Sequence, residues 1–232
     1  MKKLVVLITY NRLEYTKRTL KDIWENTSDD ADYLLVVVDN NSTDGTKEYL
    51  KEQQRRGRIN ILILNPENSY PGKAANIAWR KGLEVFDADL LVRIDNDMHL
   101  EKNWDLKVDK YFEAIPELGQ LGLEHEAIET PEADMQRRYI NGYTINEWPG
   151  CVGGPMVMRR KLWDLGIRYD EEKWKPGGQE DSKLSAEVKN RGYLVGHAQE
   201  ELGRTFATKD NRNDFFDYYK QTFKERGIEN ML

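Results

Sequence analysis

The sequence predicts an α/β fold of Rossmann-like type: a mostly parallel central sheet flanked by helices, in a single domain with a helical C-terminal extension. Two patterns and one bound predict it. Short apolar runs alternate with segments of helical period through the first hundred residues, in the order strand, helix, strand, helix, strand, helix, strand. That order belongs to parallel strands joined by helical crossovers and covered on both faces. Apolar runs also end in polar clusters, at Thr9-Tyr10-Asn11-Arg12, Asp39-Asn40-Asn41-Ser42 and Asp95-Asn96-Asp97. Open α/β sheets bind ligands outside the carboxyl ends of their strands. With 232 residues, 39% hydrophobic and 33% charged, the chain has room for one large α/β domain with a core under a highly charged surface.

Residues 3–9 read as a buried strand. Met1-Lys2-Lys3 before an apolar run has the outline of a secretion signal, but the run is short and ends in Thr9-Tyr10-Asn11-Arg12 with no small-residue cleavage site. Asn11 is placed to cap a helix over residues 12–26, with Leu20, Ile23 and Trp24 on one face. A second strand over 33–38 runs into turn and capping residues, among them Asp44 and Thr46, and then a charged helix to about 56. A third strand covers 59–64. A loop carrying Pro66, Pro71 and Gly72 leads to a helix from Lys73 to about residue 86 that buries Ala74, Ala75, Ile77, Ala78 and Leu83.

The fourth strand, Leu90 onward, delivers Asp95 and Asp97. Alternate residues of an extended chain face the same way, so both acids, and Arg93 with them, are expected on one face. Further on, a helix over 104–115 and a strand over 118–123 are expected. Residues 125–149 show no clean period and read as a functional loop or lid holding Arg137, Arg138, Tyr139, Tyr143 and Trp148. A strand over 151–158 is interrupted by Gly153-Gly154-Pro155, and a short helix begins at Arg160. A glycine-bearing loop over 175–181 enters a helix to about 191, and a strand covers 193–197. The tail over 213–226 reads as an amphipathic helix with Phe215, Phe216, Tyr219 and Phe223, expected to dock on the body of the domain.

Composition narrows the function. A net charge of −6 gives no support to nucleic-acid binding driven by bulk electrostatics. Cys151 is the sole cysteine, so neither an intrachain disulfide nor a cysteine zinc cluster can form; a reducing, cytoplasmic setting is expected. No apolar run approaches the ~18 residues that span a membrane. Neither a Gly-x-Gly-x-x-Gly turn nor a Walker A loop is present, so phosphate is not held in either usual way. The Asp95 and Asp97 pair suits a hard divalent cation, which takes oxygen ligands and can bridge carboxylates to a diphosphate.

Five pieces, in their order and spacing, resemble the GT-A fold glycosyltransferases of the family 2 type. They are Ile8-Thr9-Tyr10-Asn11-Arg12, the run from Val38 and Asp39 to Gly45 and Thr46, Pro71-Gly72-Lys73-Ala74-Ala75-Asn76, Asp95-Asn96-Asp97 and Gly178-Gln179-Glu180-Asp181, and together they cover roughly residues 3–197. The resemblance implies a nucleotide-sugar donor, usually a UDP-sugar, a Mn²⁺ or Mg²⁺ cofactor, and an inverting transfer, of a hexose in the first instance. By the same resemblance Thr9, Tyr10, Asn11, Arg12, Asn41 and Asn96 line the nucleotide site. Asp39 hydrogen-bonds the base and Lys73 reaches the base or the phosphates. Asp95 touches the ribose, or the metal through water, and Asp97 ligates the metal, with His197 as its third ligand. Asp181 is the general base and Glu180 the alternative, while Trp148, Gly153 and Gly154 border the acceptor. The implied halves are 1–98 for the nucleotide sugar and 99–204 for acceptor and catalysis, followed by the tail at 205–232.

Arg93 departs from the family pattern, and either pairs with Asp95 or touches the donor. His99 either reaches the metal or faces the acceptor. Trp148, Trp174, Tyr139 and Tyr143 offer flat faces for a sugar, or simply pack in the core. The acceptor is open among a saccharide, a lipid-linked sugar, a protein and a modified nucleic-acid base. Two rivals stand beside this reading. A sugar-nucleotide pyrophosphorylase would want a glycine-rich, arginine-bearing loop after the first strand, which Thr9-Tyr10-Asn11-Arg12 is not. A non-catalytic nucleotide-sugar-binding module would have no use for the set Asp95, Asp97 and Asp181.

Overall fold

The strand β1 (Lys3–Thr9) is buried along its whole length, with side chains alternating between two cores. Val5 and Leu7 enter one core, and Leu4, Val6 and Ile8 the other, which is why the stretch from Leu4 to Ile8 has no polar position. The computed structural model describes residues 1–124, 136–147, 152–171 and 179–206, with 220 and 224. Around β1 the chain builds β2 (Tyr33–Asp39), β3 (Ile61–Leu64) and β4 (Leu90–Asp95), linked by α1 (Leu13–Asn26), α2 (Thr46–Arg55) and α3 (Pro71–Leu83). These four strands pair in parallel, and their carboxyl ends lie side by side, Thr9 beside Asp39 and Ile8 beside Asp95.

The turn after β4 leads into β5 (Met98–Leu100), then α4 (Trp104–Ala114), β6 (Leu118–Gly122), β7 (Gln136–Ile140) and β8 (Tyr143–Glu147). The described chain closes with β9 (Met156–Arg159), α5 (Arg160–Asp164), α6 (Gln179–Asn190), β10 (Leu194–Ala198) and β11 (Gly203–Thr205). One nine-stranded sheet runs β3-β2-β1-β4-β9-β6-β10-β8-β7, and β11 pairs with β5 in a separate ribbon. β9 is antiparallel to both β4 and β6, so the sheet is parallel mainly in its first half. On one face α1 and α4 bring Leu20, Ile23, Trp104 and Phe112. On the other α3, α5 and α6 bring Ala78, Trp79, Leu162, Leu184 and Val188. Burying each such aliphatic side chain is worth about 1.5–3 kcal/mol, so these two layers dominate the fold.

The structure corrects four expectations. Asn11 does not cap α1. Asn11 and Arg12 both take the left-handed conformation (φ 52° and 58°), and the helix starts at Leu13. Its first N–H is taken by Asp44 Oδ2 at 2.9 Å, while Asn11 Oδ1 accepts from Thr43 N–H at 2.8 Å. α3 begins at Pro71 rather than Lys73, because proline lacks an N–H and is pre-set for a first helical turn. Residues 136–147 fold as the hairpin of β7 and β8 rather than as a loop. Asp97 lies beyond β4 in a turn, so strand alternation accounts for Arg93 and Asp95 but not for Asp97. The expected tail helix, with Phe215, Phe216, Tyr219 and Phe223, falls outside the described residues. No helix among the described residues is long and apolar enough to cross a membrane.

Candidate active site

The adjacent ends of β1 and β2 build the first wall. Asp39 is fully buried, and its carboxylate is held from two sides: Thr9 Oγ1 donates to Oδ1 at 3.2 Å and Ser42 N–H to Oδ2 at 2.9 Å. Asn11 N–H donates to Ser42 Oγ at 2.8 Å, which ties the first turn to the second. Asn41 sits in the left-handed region (φ 67°) and accepts from Lys47. Its neighbour Asn40 accepts from Asn65 and Ser69 at 2.8 and 2.9 Å, so the third strand's end is bound to the same rim. Tyr10 is half-buried there. Lys73, in the first turn of α3, has no hydrogen bond or ion pair among the described residues.

The second wall is a cluster of opposite charges. Arg93 and Asp95 share a face of β4, and the guanidinium forks onto the carboxylate, Nε to Oδ1 and Nη2 to Oδ2, each at 3.1 Å. Its Nη1 donates to Asp181 Oδ1 at 2.8 Å and to the Tyr169 hydroxyl at 3.0 Å, with Glu180 3.9 Å away. Arg93 therefore pairs with Asp95, and it reaches the helix α6 as well. Arg12 makes a parallel arrangement one turn over, donating to Asp97 Oδ2 at 2.9 Å and to Asn96 Oδ1 at 2.7 Å. Asn96 answers by donating to the Asn11 carbonyl at 2.8 Å and to Thr16 Oγ1 at 3.0 Å, which locks the aspartate-bearing turn onto α1.

Glu180 and Asp181 occupy the first turn of α6. Glu180 Oε2 accepts from Gly72 N–H at 3.2 Å, so the N-termini of α3 and α6 meet here. Burial raises the pKa of both acids, and Arg93 pulls each back down. Burial alone would lower Arg93, but Asp95, Tyr169, Asp181 and Glu180 around it hold it charged, well above its ordinary value. Gly153 and Gly154 lie against the same cluster. A Cβ on Gly154 would fall 2.8 Å from Asp95 Oδ2 and 3.1 Å from Arg93 Nε, so a larger residue would push these side-chain ends aside. A Cβ on Gly153 would stand 3.9 Å from Asp181 Oδ2.

Glu124, two residues beyond β6, was not singled out from the sequence. Its pKa is raised to about 7, chiefly by burial and further by Asp97 and Asp95, which marks a third carboxylate beside the pair. Thr205 N–H donates to its Oε1 at 2.9 Å, and Phe206 N–H donates to the Asp97 carbonyl at 2.6 Å, so one short segment ties both acids. The available signal was the one used for Asp95: an acid at the carboxyl end of an apolar strand. His197 is buried on β10, with Nδ1 3.0 Å from the Glu124 carbonyl. No group of three or more His, Cys, Asp or Glu is arranged to hold a metal among the described residues, so the set Asp95, Asp97 and His197 is not assembled. His99 Nδ1 lies 2.6 Å from Asp22 Oδ2, directed at α1. Tyr139 is exposed on β7, and Tyr143 packs on Tyr111. Trp148 and Trp174 lie outside the described residues.

Asp97 gives one oxygen to Arg12, and its Oδ1 has no partner among the described residues. One or two protein carboxylates with the rest of the shell from phosphate and water suit Mg²⁺, whereas an all-protein cage is absent from the described residues. The donor set therefore fits a cation shared with a phosphate ligand, held by Asp97 and bordered by Asp95 and Glu124.

Comparison with known proteins identifies the family and the fold. The model of glycosyl transferase family 2 matches residues 4–166. An uncharacterised glycosyltransferase of Methanocaldococcus jannaschii is 33% identical over 111 residues, 44% of this chain and 38% of that protein. The poly(ribitol-phosphate) β-N-acetylglucosaminyltransferase TarS of Staphylococcus aureus is 24% identical over 102 residues, 44% of this chain and 17% of TarS. The chain thus spans well under half the length of these relatives. Among solved structures, TarS 1–349 with UDP superposes with a TM-score of 0.69 at 17% identity, covering 94% of this chain and 63% of that one. A mannosyltransferase of Pyrobaculum calidifontis, solved with GDP-Man and Mn²⁺, gives 0.67 at 16% identity, covering 98% and 68%. The sheet and its helices match the GT-A architecture.

Proposed function

The chain belongs to glycosyl transferase family 2, and from that premise we propose that it moves a hexose from a nucleotide-sugar donor to an acceptor hydroxyl with inversion, using Asp181 as general base. The observation that carries this reading is the convergence of two carboxylate sets at one rim of the sheet, Asp95 and Asp181 both held by Arg93. Glycosyl transfer needs two such sets, one for the leaving diphosphate and one for the attacking hydroxyl.

The nucleotide base lies against Asp39, whose carboxylate is buried and fixed by Thr9 and Ser42. Thr9, Tyr10, Asn11, Arg12, Asn41 and Asn96 line its path, and Lys73 extends toward the phosphates. A divalent ion on Asp97, when bound, supplies Lewis-acid neutralisation of the departing diphosphate. Asp181 takes the acceptor proton as the acceptor oxygen bonds to the anomeric carbon and the bond from that carbon to the diphosphate breaks. One displacement by one base inverts the configuration. Glu180, bonded to Gly72, holds the α3–α6 junction. A UDP-sugar is the favoured donor, supported by TarS structures with UDP and UDP-GlcNAc. The GDP-Man complex of the Pyrobaculum enzyme supports testing GDP-mannose beside it. Residues 1–98 serve the donor, 99–204 the acceptor and catalysis, and 205–232 form an extension.

Release of free nucleotide from UDP-GlcNAc and from GDP-mannose, with MnCl₂ and with EDTA, tests the reading. Expected is Mn²⁺-dependent release from one donor, reduced to a small residual rate in Asp181→Asn while nucleotide binding persists. Full turnover in Asp181→Asn would overturn the base assignment.

A further inference from the structure

An aspartate in the first turn of a helix can swing about two bonds, and its oxygens are chemically equal. A general base has to present one lone pair at one place, and a misplacement of about 1 Å can cost ~100-fold in rate. Resting on the reading of Asp181 as that base, we propose that Arg93, supported by Tyr169, is its positioning residue: Arg93 occupies Asp181 Oδ1 and leaves Oδ2 for the acceptor hydroxyl.

Arg93 is itself immobile. Its side chain is 3% exposed, and the two-bond fork onto Asp95 fixes the plane of the guanidinium. From that plane Nη1 meets Asp181 Oδ1 at 2.8 Å. The same Nη1 donates to the Tyr169 hydroxyl at 3.0 Å, so the tyrosine's own proton is directed to Asp181, with which it hydrogen-bonds. Tyr169 cannot turn away, because its ring is fully buried and stacked on Trp79, centroids 5.8 Å apart and planes 17° from parallel. Arg93 thus holds Oδ1, and the Tyr169 hydroxyl is a second donor to the same carboxylate. Oδ2 is the oxygen that faces Gly153, where a missing side chain leaves room. In the reaction the acceptor O–H proton passes to Oδ2, the new C–O bond forms, and the electron pair of the broken bond leaves with the diphosphate. Arg93 touches neither donor nor acceptor in this scheme. It sets the distance between Asp95 on the donor side and Asp181 on the acceptor side. Lysine cannot replace it, since a single ammonium has no planar fork to hold both acids.

The test measures nucleotide release from UDP-GlcNAc and GDP-mannose with MnCl₂, water serving as acceptor, alongside calorimetric binding of UDP and GDP and a thermal melt. Arg93→Lys is expected to lose about 100-fold in turnover, and Tyr169→Phe about tenfold for one hydrogen bond to a charged group, with nucleotide affinity within about threefold. A role exercised through Asp181 also predicts that Arg93→Lys changes turnover less than about twofold when Asp181→Asn is already present. Merely structural damage would instead multiply with the loss in Asp181→Asn, and that result, or wild-type turnover in Arg93→Lys, overturns the proposal. If the lysine variant does not melt as a folded protein, Tyr169→Phe decides alone, and unchanged turnover there overturns it. A wild-type protein that binds neither nucleotide and releases none removes the functional reading itself, and this proposal with it; retained wild-type turnover with a failed Arg93 prediction leaves that reading standing.

Discussion

Buried arginines answer the acids of this site one for one at its two key positions, Arg12 for Asp97 and Arg93 for Asp95. Asp97→Asn keeps the shape and the bond from Arg12 but removes the charge that a cation needs. Its expected effect is loss of the Mn²⁺-dependent part of UDP binding, with the EDTA-resistant part unchanged, measured by calorimetry in both buffers; equal affinities with and without Mn²⁺ in both proteins would contradict the role. Glu124 gives a pH signature. Its pKa rises from 4.5 to about 7 on folding, first through burial. A raised acid keeps its proton in the folded state, so its contribution to stability is full below about 4.5 and is lost as pH climbs through about 7. In chelated buffer, wild type should lose stability relative to Glu124→Gln across that window, by up to about 1.4 kcal/mol per pH unit, read by urea melts at pH 5 and 7.5. A flat difference would refute it. Arg93 could be read from the sequence as sharing the face of Asp95, since they are two apart on one strand. Its bond to Asp181 could not, because 88 residues of chain separate them. Glu124 escaped notice for the same reason: only the fold brings the end of β6 beside Asp97.

At the scale of elements, β1, β2 and β4 were legible because each is buried over most of its length and is mainly apolar, while β3, a partly buried edge strand, was legible from its apolar run alone. The β7–β8 hairpin was not. β7 is the run Gln136-Arg137-Arg138-Tyr139-Ile140, exposed at four positions, at the end of the sheet, where water tolerates any side chain. Its only strong local cue was Asn141-Gly142, a hairpin turn pair with positive φ at both residues. Packing between elements is testable at Gly82, where α3 crosses β1. A Cβ there would stand 2.5 Å from Leu4 Cδ1 and 2.8 Å from Cδ2, with Leu4 fully buried. Glycine to alanine in a helix gains about 1 kcal/mol, but overpacking a close contact costs about 1–3 kcal/mol. The crowding wins, so Gly82→Ala should lower the urea midpoint by the equivalent of about 1 kcal/mol, with turnover unaffected. A raised midpoint would show that Leu4 can move aside. Gly154→Ala reverses the pattern. Its Cβ would press on Asp95 and Arg93, so turnover should fall more than tenfold while the melt barely shifts.

For the molecule as a whole, sheet order puts the site where it is. The chain runs outward from β1 through β2 to β3 and then returns to the other side of β1 as β4, which makes the β1–β4 gap the point where the topology reverses. Thr9, Asp95 and the turn carrying Asp97 open into that gap. The parallel strands and the acids at a strand's carboxyl end followed from the sequence, whereas the order of the strands and the antiparallel β9 between β4 and β6, which brings Gly154 against Asp95, did not. Net charge sharpens the consequence. A molecule of charge −6 that gathers Asp95, Asp97, Glu124, Glu180 and Asp181 at one rim repels a nucleoside diphosphate. Arg12 and Arg93 are already committed to carboxylates, and among the described residues Lys73 is the rim cation without a partner. Nucleotide binding should therefore lean on added positive charge. UDP or GDP at 100 times its dissociation constant stabilises by about 2.7 kcal/mol, which for a chain of this length is a rise of roughly 5–10 °C in Tm. That rise is expected with MnCl₂ and should shrink to about a third or less with EDTA at the same nucleotide concentration, measured by differential scanning fluorimetry. Lys73→Ala should reduce it in both buffers. An equal rise with EDTA would mean that the carboxylate rim does not face the phosphates, and the donor would have to lie along a different path from the one the strand ends define.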